Sequence, residues 1–254
     1  MTMNRDQLAA EIKRFEWYHT IPIPGTDLVT PGEPGFVASC QWNARHLSQH
    51  DLRGKRVLDI GARDCMFSLQ AEQMGALSVD AIDNDISEGA RQVLLPFLKS
   101  SVNLRSANIC KFETSQRWDI VLFFGVLYHL RYPFQAFRKI SDITEIGGLL
   151  LIEAGMLEDE KLANLEILYC PTARSPYEPS SCSFFNLCAL DATLLTFGFK
   201  REGNCDYAAK EPKHKIRRAF VAYRKVEEGR FPYWEDVHRM HSGRDHTLWK
   251  TGGL

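Results

Sequence analysis

Between Arg56 and Leu151 the chain alternates five short β-rich apolar runs with longer stretches whose apolar residues recur at helical spacing. The runs are RVLDI, LSVDAID, VNLRSA, WDIVLFF and GGLLLIE, and the connecting stretches include CMFSLQAEQMGA, EGARQVLLPFLKS and PFQAFRKISDIT. A crossover helix returns the chain to the same end of a sheet, so this alternation predicts parallel strands and a doubly wound α/β architecture. Gly75 suits the stop of the first connecting helix, and Pro133 suits the first turn of the third. A helix over CALDATLLTFGF and two closing strands, FKREGNCDY and KIRRAFVAYRK, complete a seven-stranded sheet whose last strand runs antiparallel.

Upstream, residues 5–16 read as an amphipathic helix, 17–35 as a loop punctuated by Pro and Gly, and about 36–50 as a second helix. Together they predict a helical N-terminal cap over 1–50. The core then spans 51–225, with an irregular insertion at about 156–188 that contains YCPTARSPYEPSSCSFF, and 226–254 forms a tail. Lys and Arg number 31 against 32 Asp and Glu, a net charge of −1 that lends no global support to a nucleic-acid or polybasic membrane protein. The charged N-terminus lacks a signal-peptide run and no window approaches about 18 apolar residues, so a soluble, cytoplasmic protein with no membrane partner is expected. Seven cysteines without a CxxC pair suggest reduced thiols, not a zinc ribbon or a disulfide framework.

In an open α/β sheet, ligands sit beyond the carboxyl ends of the strands where the strand order reverses. The loop after the first strand, VLDIGARDCMFS, has Asp59 at the strand end and Gly61 for a tight turn. Arg63 and Cys65 stand where a dinucleotide-binding turn has its second and third glycines, which let the backbone approach a pyrophosphate. NAD, FAD and P-loop nucleotides are therefore disfavoured, whereas an adenosine without phosphates needs no such glycines. Asp83, in AIDND, lies 24 positions after Asp59, where a carboxylate reaches ribose hydroxyls, with Asn84 and Asp85 as adjacent polar alternatives. Asn108 and the Ile109 backbone, in SANICKF, are placed to meet an adenine edge. In FFGVLYHLRYP, Gly125 permits close backbone approach, and Tyr128 and His129 follow the strand's carboxyl end. Histidine, with a free pKa of about 6.5, suits a general base, although a structurally hydrogen-bonded histidine is the plain alternative.

Taken together, VLDIGARDCMFS, AIDND and GVLYHLRYP resemble class I S-adenosylmethionine-dependent methyltransferases over about residues 50–155. Within them the chain is similar to tRNA wobble-uridine carboxymethyltransferases and their small-molecule relatives, through GVLYH, Phe36, Gln41, Trp42 and RRAFVAYRK. The resemblance implies a Rossmann-like fold, S-adenosyl-L-methionine as cofactor, and a site lined by Gly61, Asp83, Asn108, Ile109, Phe124 and Tyr128, with Phe36 closing over it. Asp59, Arg63, Asn84 and Gly125, on the same loops, complete the expected cofactor set. The carboxymethyltransferases carry a lysine in the N-terminal loop and a basic residue before the Trp. Here WYHTIPIPGTDLVTPG has neither Lys nor Arg, and Gln41 precedes Trp42. An unpaired extra carboxylate in a partly dry site is costly, so plain S-adenosylmethionine is the expected donor, with Arg217 or Arg218 as counterpart of the family's C-terminal arginine.

The expected reaction is methyl transfer to a small-molecule hydroxyl or enol, O- or C-methylation of natural-product tailoring type. Such an in-line displacement needs the acceptor atom about 3 to 3.5 Å from the methyl carbon. His129 is the expected base, with His19 or Tyr18 as alternative or orienting partner. Trp17, Trp42, Tyr169, Tyr177, Phe184 and Phe185 are the expected aromatic walls of the acceptor site. Modification of a tRNA wobble uridine and a catalytically silent binding protein are the alternatives. The basic run KEPKHKIRR with Arg224 and Lys225 suits a phosphate backbone, but charged protection of a sheet edge is preferred. A short-chain dehydrogenase is disfavoured because no Tyr has a Lys four residues on, and exocyclic-amine chemistry on DNA because GVLYH replaces a DPPY-type motif. His46 with His50, and His238, His241 and His246, lack a completing ligand set, so no metal is expected.

Overall fold

Every apolar run between Arg56 and Leu151 becomes a strand: β1 (Arg56–Ile60), β2 (Ser78–Asp83), β3 (Asn103–Ser106), β4 (Trp118–Phe124) and β5 (Thr144–Leu157). The structure, a computed structural model, describes residues 3–158, 165–170, 174–209 and 215–229. Later come β6 (Ile167–Tyr169), β7 (Ser183–Phe185), β8 (Phe199–Tyr207) and β9 (Ile216–Lys225). The central sheet has seven strands in the order β3-β2-β1-β4-β5-β9-β8, with β6 and β7 forming a separate ribbon. The first five pair in parallel, and β9 inserts antiparallel between β5 and β8. The strand order reverses between β1 and β4, which opens a crevice at their carboxyl ends.

The helices are α1 (Arg5–Ile12), α2 (Val37–Leu47), α3 (Met66–Gln73), α4 (Leu95–Leu98), α5 (Pro133–Ile143) and α6 (Leu187–Thr196). Alternate strand residues feed opposite cores, as the two-residue period of a strand requires. Leu58, Val121, Phe123 and Ile152 pack with α5 and α6, whereas Val57, Val79, Ile120 and Leu122 pack with residues of α1 to α4. Leu8 and Ile12 of α1 belong to that second core, so the N-terminal segment has no separate interior. No helix among the described residues is long and apolar enough to cross a membrane.

Several elements depart from the sequence reading, among them β5, which extends beyond GGLLLIE at both ends to Thr144 and Leu157. Helix α1 stops at Ile12, short of residue 16, because the buried Trp17 indole donates to the Ile12 carbonyl at 2.9 Å and ends the ladder. The stretch over 88–100 is a π turn at Ala90–Leu94 followed by the short α4, an adjustment that accommodates Pro96, which has no N–H to give. Within the insertion, β6 and β7 pair antiparallel, and Cys182 N–H donates to the Tyr128 carbonyl at 2.7 Å, tying the ribbon to the turn after β4.

The arginines of the basic run expected to protect a sheet edge lie instead on β9, an interior strand paired on both sides, and are paired within the chain. Arg217 reaches Glu158, Arg218 reaches Glu153, and Arg224 reaches Glu202. Lys225 is fully buried and donates to the Ser141 carbonyl near the end of α5 and to Glu228. Residues 210–214 of that run, the His238, His241 and His246 group, and most of the 226–254 tail lie outside the described residues.

Candidate active site

The carboxyl ends of β1, β2, β4 and β5 open into one cavity of about 940 Å³, roofed by residues of the N-terminal loop and the insertion. At its floor, Gly61 takes a φ of +84°, and an added Cβ would stand 2.2 Å from Val126 Cγ2. Only glycine fits that turn without strain. Arg63 and Cys65 also adopt positive φ, 40° and 63°, although neither is glycine. Arg63 N–H donates to Asp83 Oδ2 at 3.0 Å and Cys65 N–H to the Ala62 carbonyl at 2.8 Å, hydrogen bonds that hold the strained turn.

Asp83 ends β2 at the cavity wall and also accepts from Asp85 N–H at 2.8 Å. Burial pushes its carboxyl up, and the Asp85 and Arg63 backbone N–H groups restrain the rise. Asn84 lines the same wall. Asn108 Oδ1 caps the single turn Ile109–Lys111 by accepting from Cys110 N–H at 2.9 Å, which presents Ile109 to the cavity.

Asp64 anchors the roof. Its Oδ2 accepts from both Tyr18 N–H and His19 N–H at 2.7 Å and lies 3.3 Å from His19 Nδ1. Burial favours the neutral acid, but the hydrogen bonds with His19 outweigh it and hold the carboxyl below its usual value. The Tyr18 ring stacks on Phe36 at 4.6 Å, with the Arg63 guanidinium 5.5 Å from its centroid. Burial lifts the Tyr18 phenol to about 12.

At the β4–β5 end, Gly125 N–H donates to the Glu153 carbonyl at 3.0 Å, and Phe124, Gly125, Tyr128 and His129 line the wall. Tyr128 is buried, which pushes its phenol far up. His129 Nε2 lies 3.4 Å from Glu178 Oε1. Glu153 is fully buried, and its Oε1 accepts from Arg218 at 2.5 Å. In the β5–β9 register Arg218 faces Gly155 and reaches diagonally to Glu153, two residues along β5, while the space a Gly155 side chain would take is filled by Ile216 and Tyr177. Burial lifts the Glu153 carboxyl, and the permanently charged Arg218 guanidinium opposes that rise.

The cavity brings together His19, Tyr18, His129, Phe36, Gly61, Arg63, Asp83, Asn84, Asn108, Ile109, Phe124, Gly125 and Tyr128. Asp59 is not on its wall: the carboxylate is buried, accepts from Ser68 Oγ at 2.6 Å, and is raised by burial to about 6. None of the six aromatic acceptor-wall residues lines it either. Trp17, Phe184 and Phe185 are core side chains, and Trp42 packs edge-on to His46 and Phe220. Tyr169 is exposed on β6, and Tyr177 packs edge-on behind Tyr128 at 5.4 Å. Asn43, Cys40, Glu153 and Glu178 line the cavity without having been singled out. For Glu153 the signal was present, a carboxylate at the end of the apolar run GGLLLIE; for Asn43, mid-helix, there was none.

A family described as "Methyltransferase domain" matches residues 39–202. The tRNA U34 carboxymethyltransferase of Pseudomonas aeruginosa strain LESB58 is 32% identical over 124 residues, which cover 47% of this chain and 38% of that protein. The match thus spans well under half the length of that relative. Among solved structures, the N-terminal domain of EvdMO1 with SAH bound superposes with a TM-score of 0.64 at 17% identity, covering 89% of this chain and 98% of that one. The 1,6-didemethyltoxoflavin-N1-methyltransferase of Burkholderia thailandensis, with 1,6-didemethyltoxoflavin and S-adenosylhomocysteine bound, gives 0.59 at 16% identity, covering 75% and 79%.

Proposed function

The chain belongs to the methyltransferase-domain family, whose cofactor is S-adenosylmethionine, and from that premise we propose that it methylates a small-molecule hydroxyl or enol beside His129. The observation that carries this reading is the joining, in one roofed cavity, of a ribose-type carboxylate at the end of β2 and a histidine after β4. A volume of about 940 Å³ suits a nucleoside-sized cofactor together with a compact acceptor. The chemistry of the walls fits such a cofactor: Asp83 for vicinal ribose hydroxyls, Ile109 for an apolar base face, and a glycine turn that lets the backbone approach without cradling phosphates. The internal pairing of Arg217, Arg218 and Arg224 supports a small acceptor over an RNA backbone.

When bound, S-adenosylmethionine supplies an electrophilic methyl carbon that leaves sulfur as the acceptor atom attacks. Asp83 orients the ribose end, while Tyr18 and Phe36 cover the cavity and exclude water, which strengthens every polar interaction inside it. His129 takes the hydroxyl or enol proton as the new bond forms, and the Glu178 carboxylate beside Nε2 stabilises the resulting imidazolium.

Calorimetric titration with S-adenosylmethionine, its carboxylated analogue and NADH tests the reading. Micromolar binding of S-adenosylmethionine alone is expected. Preference for the carboxylated analogue would turn the assignment to tRNA wobble-uridine chemistry, and binding of none of the three would remove it.

A further inference from the structure

Three buried polar atoms on residues that line the cavity make no hydrogen bond: His19 Nδ1, which stands 3.3 Å from Asp64, and the two oxygens Asn43 Oδ1 and Glu178 Oε1. Asn43, 4% exposed, gives its Nδ2 to Glu153 Oε2 at 3.3 Å, and its buried Oδ1 makes no hydrogen bond. Glu178 Oε1, on the insertion opposite, is likewise buried without a hydrogen bond. Buried polar atoms are rarely left unsatisfied, and both of these oxygens belong to residues that line the cavity. A ligand that satisfies them brings at least two donors at separate positions, beyond the group that faces His129.

The charges nearby say what kind of donors these are. Arg218 is consumed by Glu153, so the cation at the inner wall is already neutralised. Glu178 faces His129, and once the ring has taken up a proton that pair is neutral as well. Lys111 and Arg131 stand exposed at the rim, where solvent screens them. An anionic ligand meets carboxylates without an uncommitted inner cation, and an ammonium that pairs with Glu178 takes from His129 the carboxylate that stabilises its imidazolium during transfer.

We infer that the acceptor is an uncharged, polyhydroxylated small molecule, a sugar or cyclitol in chemical class, selected by Asn43 and Glu178 and guarded against anions by the Glu153–Arg218 pair. This rests on the methyltransferase reading above. The experiment uses the full chain saturated with S-adenosylhomocysteine, titrated with a matched probe set: neutral methyl hexopyranosides and inositol, the corresponding hexuronates, and the corresponding amino sugars. Product formation with S-adenosylmethionine is followed by mass spectrometry on the same set.

The expected result is binding and methylation of a neutral member, with the hexuronate at least tenfold weaker. Asn43→Leu should weaken the neutral ligand about tenfold, and Glu153→Gln should narrow the discrimination against hexuronate at least threefold by releasing Arg218. Thermal unfolding of each variant verifies that it is folded, and either variant alone suffices for the test. Tighter binding of a hexuronate or amino sugar, or no binding by any member to a protein that binds S-adenosylhomocysteine, overturns the acceptor class while leaving the methyltransferase reading intact. Failure to bind S-adenosylhomocysteine overturns the reading itself, and the acceptor class with it.

Discussion

Replacing Gly61 by alanine attacks the turn at the floor of the cavity, and its cost has two separable parts. At a φ of +84° an L-residue is strained by about 1–2 kcal/mol. The new Cβ also stands 2.2 Å from Val126 Cγ2, a clash that must be relieved by moving the loop after β4, at about 1–3 kcal/mol. The sum is about 2–5 kcal/mol, against a total stability of about 5–15 kcal/mol. The separation is testable because Val126 Cβ lies 3.7 Å from the same built atom, ordinary contact, so Val126→Ala removes the clash and leaves the backbone strain. In urea unfolding, Gly61→Ala should lose about 2–5 kcal/mol and the double variant should recover about 1–3 kcal/mol relative to the sum of the single changes. Additive losses within about 0.5 kcal/mol would refute the clash. A single-variant loss under about 1 kcal/mol would refute the need for a left-handed residue at this turn.

Asp83→Asn keeps one acceptor oxygen but turns its amide NH2 toward one of the two backbone N–H groups that Asp83 now accepts, so it should cost about 1–3 kcal/mol in stability and weaken S-adenosylhomocysteine binding by about tenfold or more in calorimetry; unchanged affinity removes Asp83 from the ribose role. His129→Ala should lower turnover by about 10²-fold with cofactor affinity kept, and near-normal turnover at neutral pH would exclude it as the base. Asp59, raised by burial from 3.8 to about 6, binds its proton more tightly folded than unfolded, so its stability contribution is present below about pH 4 and lost as pH rises to about 6. That loss amounts to about 2–3 kcal/mol, and Asp59→Asn should flatten this part of the stability–pH curve. Cys40, lifted by burial to about 11, should react with iodoacetamide at pH 8 about 100-fold more slowly than free cysteine, although it lines the cavity.

The runs RVLDI, WDIVLFF and FKREGNCDY coincide with β1, β4 and β8 to the residue; the first two carry apolar, β-rich side chains that the core buries, whereas β8 is a mostly polar edge strand held by its pairing with β9. The ribbon of β6 and β7 was not legible: three-residue strands have too few positions to show a period, and their pairing is fixed by contacts with the turn after β4. Gly61, Arg63, Asp83, Asn84, Asn108 and Tyr128 could be read as cavity lining because they sit at or just after strand ends, where topology dictates their place. Asn43 and Glu178 could not, since one comes from the middle of a helix and the other from irregular chain, whereas Tyr18, His19, His129 and Arg218 were named from the sequence and line the cavity. The aromatic residues chosen as walls failed for a related reason. Aromatic rings in a loop are as useful for burying that loop as for facing a ligand, and Phe184 and Phe185, both fully buried, serve the first purpose.

Asp64 sits in the turn after β1, yet its carboxylate holds the backbone of Tyr18 and His19 in the roof. Floor and roof therefore share one joint, and whatever steadies the turn at Gly61 to Cys65 also steadies the segment that covers the acceptor. A ligand that orders this joint from the floor lowers the cost of ordering the roof for a second ligand. Because such linkage is reciprocal, an acceptor that orders the roof must tighten cofactor binding by the same factor by which the cofactor tightens its own.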